Sequence, residues 1–358
     1  MGRRRSVRIV EVITGGEPGG AQRHVSELVQ YLASQRHQVA VIHGGGHWLS
    51  QAVEKIAPVY YLRYLQRDIS WQDMAAFTAL LKIMRQLRPD VIHAHSSKAG
   101  ILSRLVGIIL KIPVVYTSHG LVFFDSTRSW RSRKFYQLLE TWAAKRSRGI
   151  ITLSNMDYEF MRSVKTQAII KKIPNGVPVR TWFPKQLGYQ RRIGFIGRFS
   201  REKGLDVVLK AAEQTMSWQW IIAGDGPFRS QIIHAAERLP NLKWVGWMEN
   251  LDEFFDEIDV VVQPSYKEGL PYTVLDAMAA GIPVVATPVG ALTEVLGAID
   301  AQLLCPVGNV DALIESIHYA FDHYNQIAEA SYHLVKNEYN LNTQLEKTLG
   351  MLRSVVES

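Results

Sequence analysis

Two doubly wound domains, each a parallel sheet flanked by helices, are the fold this sequence predicts. Three observations carry that prediction. Short apolar segments alternate with helical patterns from the start of the chain, a turn-rich stretch interrupts the alternation once, and the same rhythm then restarts.

In chain order, the first set of strands is expected at Arg8 to Thr14, Gln38 to His43, Val59 to Leu62, Asp90 to His95, Pro113 to Ser118, Gly149 to Ser154 and Ala168 to Ile173. Pro174-Asn175-Gly176-Val177-Pro178 follows, and no clear period returns before Gln190, so the linker is placed there. A second set of strands is expected at Arg192 to Gly197, Trp220 to Ala223, Leu242 to Val245, Asp259 to Gln263, Pro283 to Ala286 and Gln302 to Leu304. From about Asp311 only helical patterns remain. The expected division is residues 1–180, residues 181–335, and a C-terminal helix over 336–358 that packs back on the first domain.

At 358 residues and 47% hydrophobic content the chain can bury a large core, and its length suits two domains. Its one cysteine, Cys305, has no internal disulfide partner and no zinc-site spacing, which favours a reducing compartment and points to the cytoplasm. The basic start, Met1 to Arg5, is like the head of a signal peptide, but the apolar run Ile9 to Ile13 is shorter than an h-region and contains Glu11. The longest apolar stretch, Ile101 to Tyr116, holds Arg104, Lys111 and Pro113 and is too short to span a bilayer. A net charge of +8 favours an anionic partner without choosing among nucleic acid, membrane and phosphorylated substrate.

In open parallel sheets ligands bind beyond the carboxyl ends of strands, so residues just after strands carry most information. After the first strand comes Gly15-Gly16-Glu17-Pro18-Gly19-Gly20-Ala21, either a phosphate cradle or a tight turn. A nicotinamide dinucleotide site needs an acid at the end of the second strand, which here reads His43-Gly44-Gly45-Gly46. The second domain opens with a strand followed by Arg198-Phe199-Ser200-Arg201-Glu202-Lys203-Gly204. Arg198 offers a planar fork and Lys203 a compact charge for phosphate oxygens, the alternative being a solvated basic loop.

Further on, Glu268-Gly269-Leu270-Pro271-Tyr272-Thr273-Val274-Leu275-Asp276 follows a strand and opens a helix. With the helix starting near Tyr272, Asp276 lies roughly 6 Å along its axis. Both carboxylates can then face one elongated ligand, and the amides near Leu270 to Thr273 aim at negative charge. For Asp276 alone, a first-turn acid that stabilises its helix is the other reading. His119 follows a strand and is either a ligand contact or a satisfied turn histidine. His93 and His95 end another strand, where His95 runs into a capping stretch with Ser96 and Ser97.

Taken together, the glycine loop, Arg198 with Lys203, Gly224-Asp225-Gly226-Pro227, Pro264-Ser265 and the paired acids resemble the family 4 glycosyltransferases of the GT-B fold, over nearly the whole chain. The resemblance implies two facing Rossmann-like domains and transfer of a hexose-type sugar from a nucleotide-diphosphate donor, with retention, to a glycan or lipid-linked acceptor in cell-surface polysaccharide synthesis. Under it Glu268 meets the donor sugar hydroxyls and His119 touches the donor sugar, as the catalytic pair. Arg198 and Lys203 hold the diphosphate, Asp276 the ribose, and Gly16, Gly269, Leu270 and Pro271 complete the donor site. His95 and Gly20 are the expected acceptor contacts. The family usually has glutamate where this chain has Asp276, one methylene shorter.

No cofactor or metal is expected beyond the sugar nucleotide, and no Asp-x-Asp motif occurs in the chain. Charge on the departing diphosphate then falls to Arg198, Lys203 and helix amides. From Asp125 to Gly149, seven cations stand against two acids, and Phe135, Leu138, Leu139 and Trp142 recur at helical spacing. That apolar face either packs on the sheet or meets an anionic membrane at the cytoplasmic side. An epimerase or hydrolase of sugar nucleotides on the same fold is the alternative activity. A nucleic-acid binder leaves the Gly, Arg and Glu loops unexplained, and no helix-turn-helix or aromatic single-strand platform is evident.

Overall fold

The computed structural model describes residues 6–66, 70–125, 127–179, 181–248 and 250–357. The basic start over residues 1–5 lies outside them. The chain divides into two compact units. One runs up to Phe124, from Ser129 to Pro174 and again from Thr343 onward; the other holds Asp125–Arg128 and Asn175–Asn342.

Among the described residues, the first unit contains β1 (Arg8–Ile13), α1 (Gly20–Ser34), β2 (Gln38–His43), α2 (Trp48–Val53), β3 (Val59–Tyr61), α3 (Asp73–Leu87), β4 (Val91–His95), α4 (Ser97–Leu110), β5 (Val114–Ser118), α5 (Trp130–Ala144), β6 (Gly149–Thr152), α6 (Asn155–Ser163) and β7 (Ile169–Lys172). The strands form one parallel sheet in the order β3-β2-β1-β4-β5-β6-β7. The order reverses between β1 and β4, and that switch point is where a crevice opens at the carboxyl edge.

Side chains alternate across the sheet. Val10 and Val12 of β1 join Ile92 and Ala94 of β4 in a core sealed by Leu80 and Met84 of α3 and Leu102 and Val106 of α4. The other face of the same two strands carries Glu11, His93 and His95, all fully buried.

The second unit contains β8 (Arg192–Ile196), α7 (Leu205–Gln214), β9 (Gln219–Ala223), α8 (Arg229–Arg238), β10 (Leu242–Gly246), α9 (Leu251–Glu257), β11 (Val260–Gln263), α10 (Tyr272–Ala279), β12 (Val284–Ala286), α11 (Leu292–Gly297), α12 (Val310–Asp322) and α13 (Tyr324–Glu338). Its five-stranded parallel sheet has the order β10-β9-β8-β11-β12, with the switch between β8 and β11.

Three expectations need correction. Gln302 to Leu304 is not a strand: Ala301–Leu303 is a 3-10 turn, capped by the Asp300 side chain on the Gln302 amide, and only Leu304 bridges to Ala286. Next to it Cys305 is buried, and burial pushes its thiol up to about 11. The turn-rich stretch after Pro174 is not a free linker. Asn175 donates to the Leu270 carbonyl at 2.7 Å, Val177 bridges to Asn340, and Lys185 donates to the Phe255 and Asp256 carbonyls beside Asp259, so this segment belongs to the second unit.

The tail also differs from its expected bounds. Residues up to Asn342 stay with the second unit, and α14 (Leu341–Glu357) covers the first-unit sheet from Thr343 onward. There Met351 and Val355 lie so close to Gly149 that a Cβ would meet them at 2.7 and 3.1 Å, while Gln344 bonds His24 of α1 at 2.9 Å.

Of the apolar stripe on α5, for which two readings were open, Leu139 and Trp142 are half-buried while Phe135 and Leu138 are exposed. Ser129 caps the helix through the Ser132 amide, and only Glu140, Ala143 and Ala144 are buried. Trp130 (69%), Phe135 (53%) and Leu138 (70%) are exposed among Arg131 and Lys134. No helix among the described residues is long and apolar enough to cross a membrane.

Candidate active site

The sequence-predicted residues follow strands β1, β4 and β5 in the first unit and β8 and β11 in the second, and each is described within its own unit.

In the second unit, the loop leaving β8 and the loop leaving β11 are fastened together. Lys203 Nζ donates to Glu268 Oε1 at 2.7 Å, and the Tyr266 amide donates to the Glu202 carbonyl at 2.8 Å. Two glycines make this approach possible. Gly204 (φ +70°) sits where a Cβ would collide with the Pro264 carbonyl, and Gly290 (φ +57°) where a Cβ would collide with the carbonyls of Glu268 and Gly269. Both positions combine a left-handed backbone with no room for a side chain.

Glu268 Oε1 also accepts from Ser265 Oγ at 2.7 Å and Gln263 Nε2 at 3.0 Å. One oxygen is thus fixed by three donors, while no partner among the described residues takes Oε2. An ionised carboxylate held in this way presents an acceptor to a hydroxyl without losing its orientation. The carboxylate is 7% exposed and the Lys203 ammonium 21%, so breaking the pair by deleting one partner strands a largely buried charge.

Gly269, Leu270 and Pro271 lead directly into α10, with Pro271 at the N-cap and no side-chain cap. Its first amides and the dipole of its start therefore face the loop as an anion-binding element. Asp276 is the fifth residue of that helix and is half-buried. Arg198, two residues past β8, is exposed. The structure brings Lys203 and Glu268 into direct contact and places Arg198 and Asp276 on the loop and helix that bound them. Sequence reasoning assigned no role to Gln263, which orients Glu268.

In the first unit, Thr14 Oγ1 and Ser96 Oγ meet at 2.9 Å across the switch between β1 and β4. Ser96 stands at the N-cap of α4 but makes no side-chain cap there, because its hydroxyl is spent on Thr14. Gly20 is the first residue of α1, which has no side-chain cap either. Gly16 is explained by packing: its amide donates to the Gly45 carbonyl, and a Cβ would meet His43 Nδ1 at 2.6 Å.

His119, half-buried, follows β5, and its Nε2 lies 3.0 Å from His95 Nδ1. His95 Nε2 is 2.7 Å from Glu11 Oε2, His93 Nδ1 is 2.9 Å from the same oxygen, and His93 Nε2 is 2.7 Å from Thr117 Oγ1. His24 packs edge-on against His119 at a centroid distance of 5.1 Å.

His95 was expected to face an acceptor. It is fully buried, and its two ring nitrogens are bonded to His119 and Glu11.

Glu11, His93 and His95 bring three ligand-type atoms within 4.8 Å of one another, yet hydrogen bonds to each other and to Thr117 and His119 already account for those atoms. Glu11 was the residue sequence reasoning passed over. Its signal was a carboxylate in the middle of an otherwise apolar strand, which cannot be buried without partners. The His-x-His of β4 supplies them on the same face.

Two families match the chain. Residues 190–323 match the family described as "Glycosyl transferases group 1", and residues 18–181 match "Glycosyltransferase Family 4". The chain is 25% identical over 356 residues to the UDP-Gal:alpha-D-GlcNAc-diphosphoundecaprenol alpha-1,3-galactosyltransferase of Escherichia coli, covering 92% of each. In fold it is similar to sucrose-phosphate synthase of Thermosynechococcus elongatus, with a TM-score of 0.82, 18% identity and coverage of 99% of this chain and 100% of that one. It is likewise similar to Anabaena HepE in complex with UDP, with a TM-score of 0.78, 19% identity and coverage of 97% and 100%. The protein is therefore a transferase of the GT-B type. It belongs to the family 4, group 1 glycosyltransferases.

Burial sets a pH dependence. Desolvation, reinforced by neighbouring imidazoles, holds His95 and His119 well below the usual histidine value, and burial lowers His37 and His43 as well. These rings are neutral when folded, whereas the unfolded chain takes up their protons near pH 6.5. The unfolded state thus binds more protons below that pH, and the stability they contribute is complete above about pH 6.5 and is lost as pH falls toward the folded values. Urea midpoints measured from pH 7.5 down to 5 should fall continuously below about 6.5; a flat profile contradicts neutral burial.

Proposed function

We propose that this glycosyltransferase takes a hexose from a UDP-type carrier bound at the switch point of the five-stranded sheet. The sugar passes, with retained anomeric configuration, to a glycan or lipid-linked acceptor in cell-surface polysaccharide synthesis. The observation that carries the reading is the Lys203–Glu268 cluster lying beside the uncapped start of α10. It joins a cation and helix amides suited to a diphosphate with an oriented carboxylate suited to sugar hydroxyls. The Escherichia coli relative, named for a UDP sugar as donor and a diphosphoundecaprenol as acceptor, supports the same pairing.

In the chemistry this implies, Arg198, Lys203 and the first amides of α10 gather the negative charge that builds on the leaving diphosphate, so no metal ion is required. Asp276 holds the ribose. Glu268 Oε2 fixes the sugar by its hydroxyls. The leaving phosphate oxygen takes the proton from the attacking acceptor hydroxyl. Acceptor binding falls to the first unit, at the loop ending in Gly20.

The place of action follows from α5. Trp130, Phe135 and Leu138 project among Arg131 and Lys134 on a helix of 15 residues, the pattern of a surface that enters a headgroup layer and pairs with anionic lipid. The enzyme then works at the cytoplasmic face of the membrane, where a lipid-linked acceptor is presented.

Three measurements test these readings. In a thermal-shift screen of UDP-, GDP-, ADP- and CMP-sugars, a UDP-sugar should give the largest rise, about 2.7 kcal/mol of stability at 100 times its dissociation constant. Glu268→Gln should keep the fold and lose roughly 100-fold or more in kcat; full turnover in that variant removes Glu268 from the site. Separately, the protein should float with vesicles rich in phosphatidylglycerol at low salt and be released by Trp130→Ser with Leu138→Ser. Equal flotation of wild type and variant rules out α5 as the contact.

A further inference from the structure

Glu11 has no function in the reaction just described, although its carboxylate is fully buried and bonded to two imidazoles. Its Oε2 faces two ring nitrogens at once, at 2.7 and 2.9 Å, which is the arrangement of an oxygen that accepts from both. The proton in the 2.7 Å contact therefore sits on His95 Nε2, and a neutral His95 presents a lone pair at Nδ1. The 3.0 Å contact between His95 Nδ1 and His119 Nε2 then needs the proton of His119 on Nε2. That leaves His119 Nδ1 unprotonated.

His93 follows the same logic in the other direction. It donates from Nδ1 to Glu11 and accepts at Nε2 from the Thr117 hydroxyl, 2.7 Å away. Every donor in the chain from Thr117 to His119 meets an acceptor under this one assignment. Reversing His95 would point two lone pairs at each other across the Glu11 contact. Burial keeps both His95 and His119 in the neutral form that the assignment requires. The parallel register fixes the geometry: Glu11 is opposite His93, and His95 is opposite Thr117. Gln344 of α14, bonded to His24 of α1, closes the face above.

We propose that Glu11 is a positioning residue that acts through His95 to fix the tautomer of His119, so that His119 offers Nδ1 as an acceptor to a sugar hydroxyl at the carboxyl edge of the seven-stranded sheet. A neutral imidazole offers one donor and one acceptor, and the bond made by one nitrogen decides what the other can do. With Nδ1 unprotonated, the ring selects a ligand group that can donate, which a hydroxyl does and an ether or acetal oxygen does not. The identity of the ligand as a sugar rests on the glycosyltransferase reading; the tautomer does not.

The test has two arms on the full chain. With 15N-histidine labelling, two-bond 1H–15N correlations should place the proton of both His95 and His119 on Nε2. A proton on His119 Nδ1, a doubly protonated ring at neutral pH, or one equivalent of divalent metal bound to the cluster would overturn the proposal.

For the second arm, Glu11→Gln replaces one carboxylate oxygen by an NH2 that can only donate, beside a His93 N–H that also donates, and leaves an uncharged, weaker acceptor for His95, so the His119 tautomer becomes mixed and kcat/KM with a UDP-sugar should drop roughly three- to tenfold. His119→Asn places an amide oxygen near the position of Nδ1 whatever Glu11 does, so on that background Glu11→Gln should cost about twofold or less. Equal cost on both backgrounds makes Glu11 merely structural. If Glu11→Gln fails to fold, the native tautomers decide alone. A chain that turns over no UDP-sugar sinks the proposed function, and the same correlations still decide this inference.

Discussion

Lys203 and Glu268 meet at 2.7 Å across the point where the strand order of the second unit reverses, and the candidate donor site is organised around that contact. The contact needs two loops from neighbouring strands to run side by side, which Gly204 and Gly290 allow by giving up their side chains. It needs Glu268 to keep its orientation in a half-buried loop, which Ser265 and Gln263 enforce by donating to the same oxygen. It also leaves the second oxygen and the start of α10 to a ligand. A cation, an oriented carboxylate and uncapped amides in one loop cluster are what an anionic sugar carrier demands.

The first unit applies the same topology to a different chemistry. Among the described residues its switch point carries no cation pair. A carboxylate is buried instead under the sheet's own histidines, and the polarity of the exposed edge is set from below through His95. Burial gives this chain of bonds its directionality, since in a low-dielectric interior a misassigned proton leaves an unpaired lone pair or donor with no water to meet it. The C-terminal helix belongs to that arrangement, because Gln344 reaches His24 and Met351 packs against Gly149.

Much of this was legible in the residues. Alternating Val and Ile segments located nearly every strand to within a residue or two, and Glu268, Lys203 and the start of α10 fall where strand-end reasoning put them. What escaped did so for physical reasons. Gln302 to Leu304 is apolar like a strand, but the Asp300 cap turns it into a 3-10 segment and one bridge is all the pairing it makes. Phe135 and Leu138 have the spacing of a buried stripe, and spacing alone does not reveal that nothing in the unit covers them. His95 was given a ligand because its partners come from residue 11 and residue 119, and only the pairing of β1 with β4 and of β4 with β5 brings those three together.

The most direct measurement is a crystal structure of the full chain grown with UDP. The diphosphate should lie within about 3 Å of Lys203 Nζ and of the first amides of α10, with Glu268 still anchored on Ser265 and Gln263. UDP bound away from the ends of β8 and β11, with the Lys203–Glu268 pair undisturbed, contradicts the account.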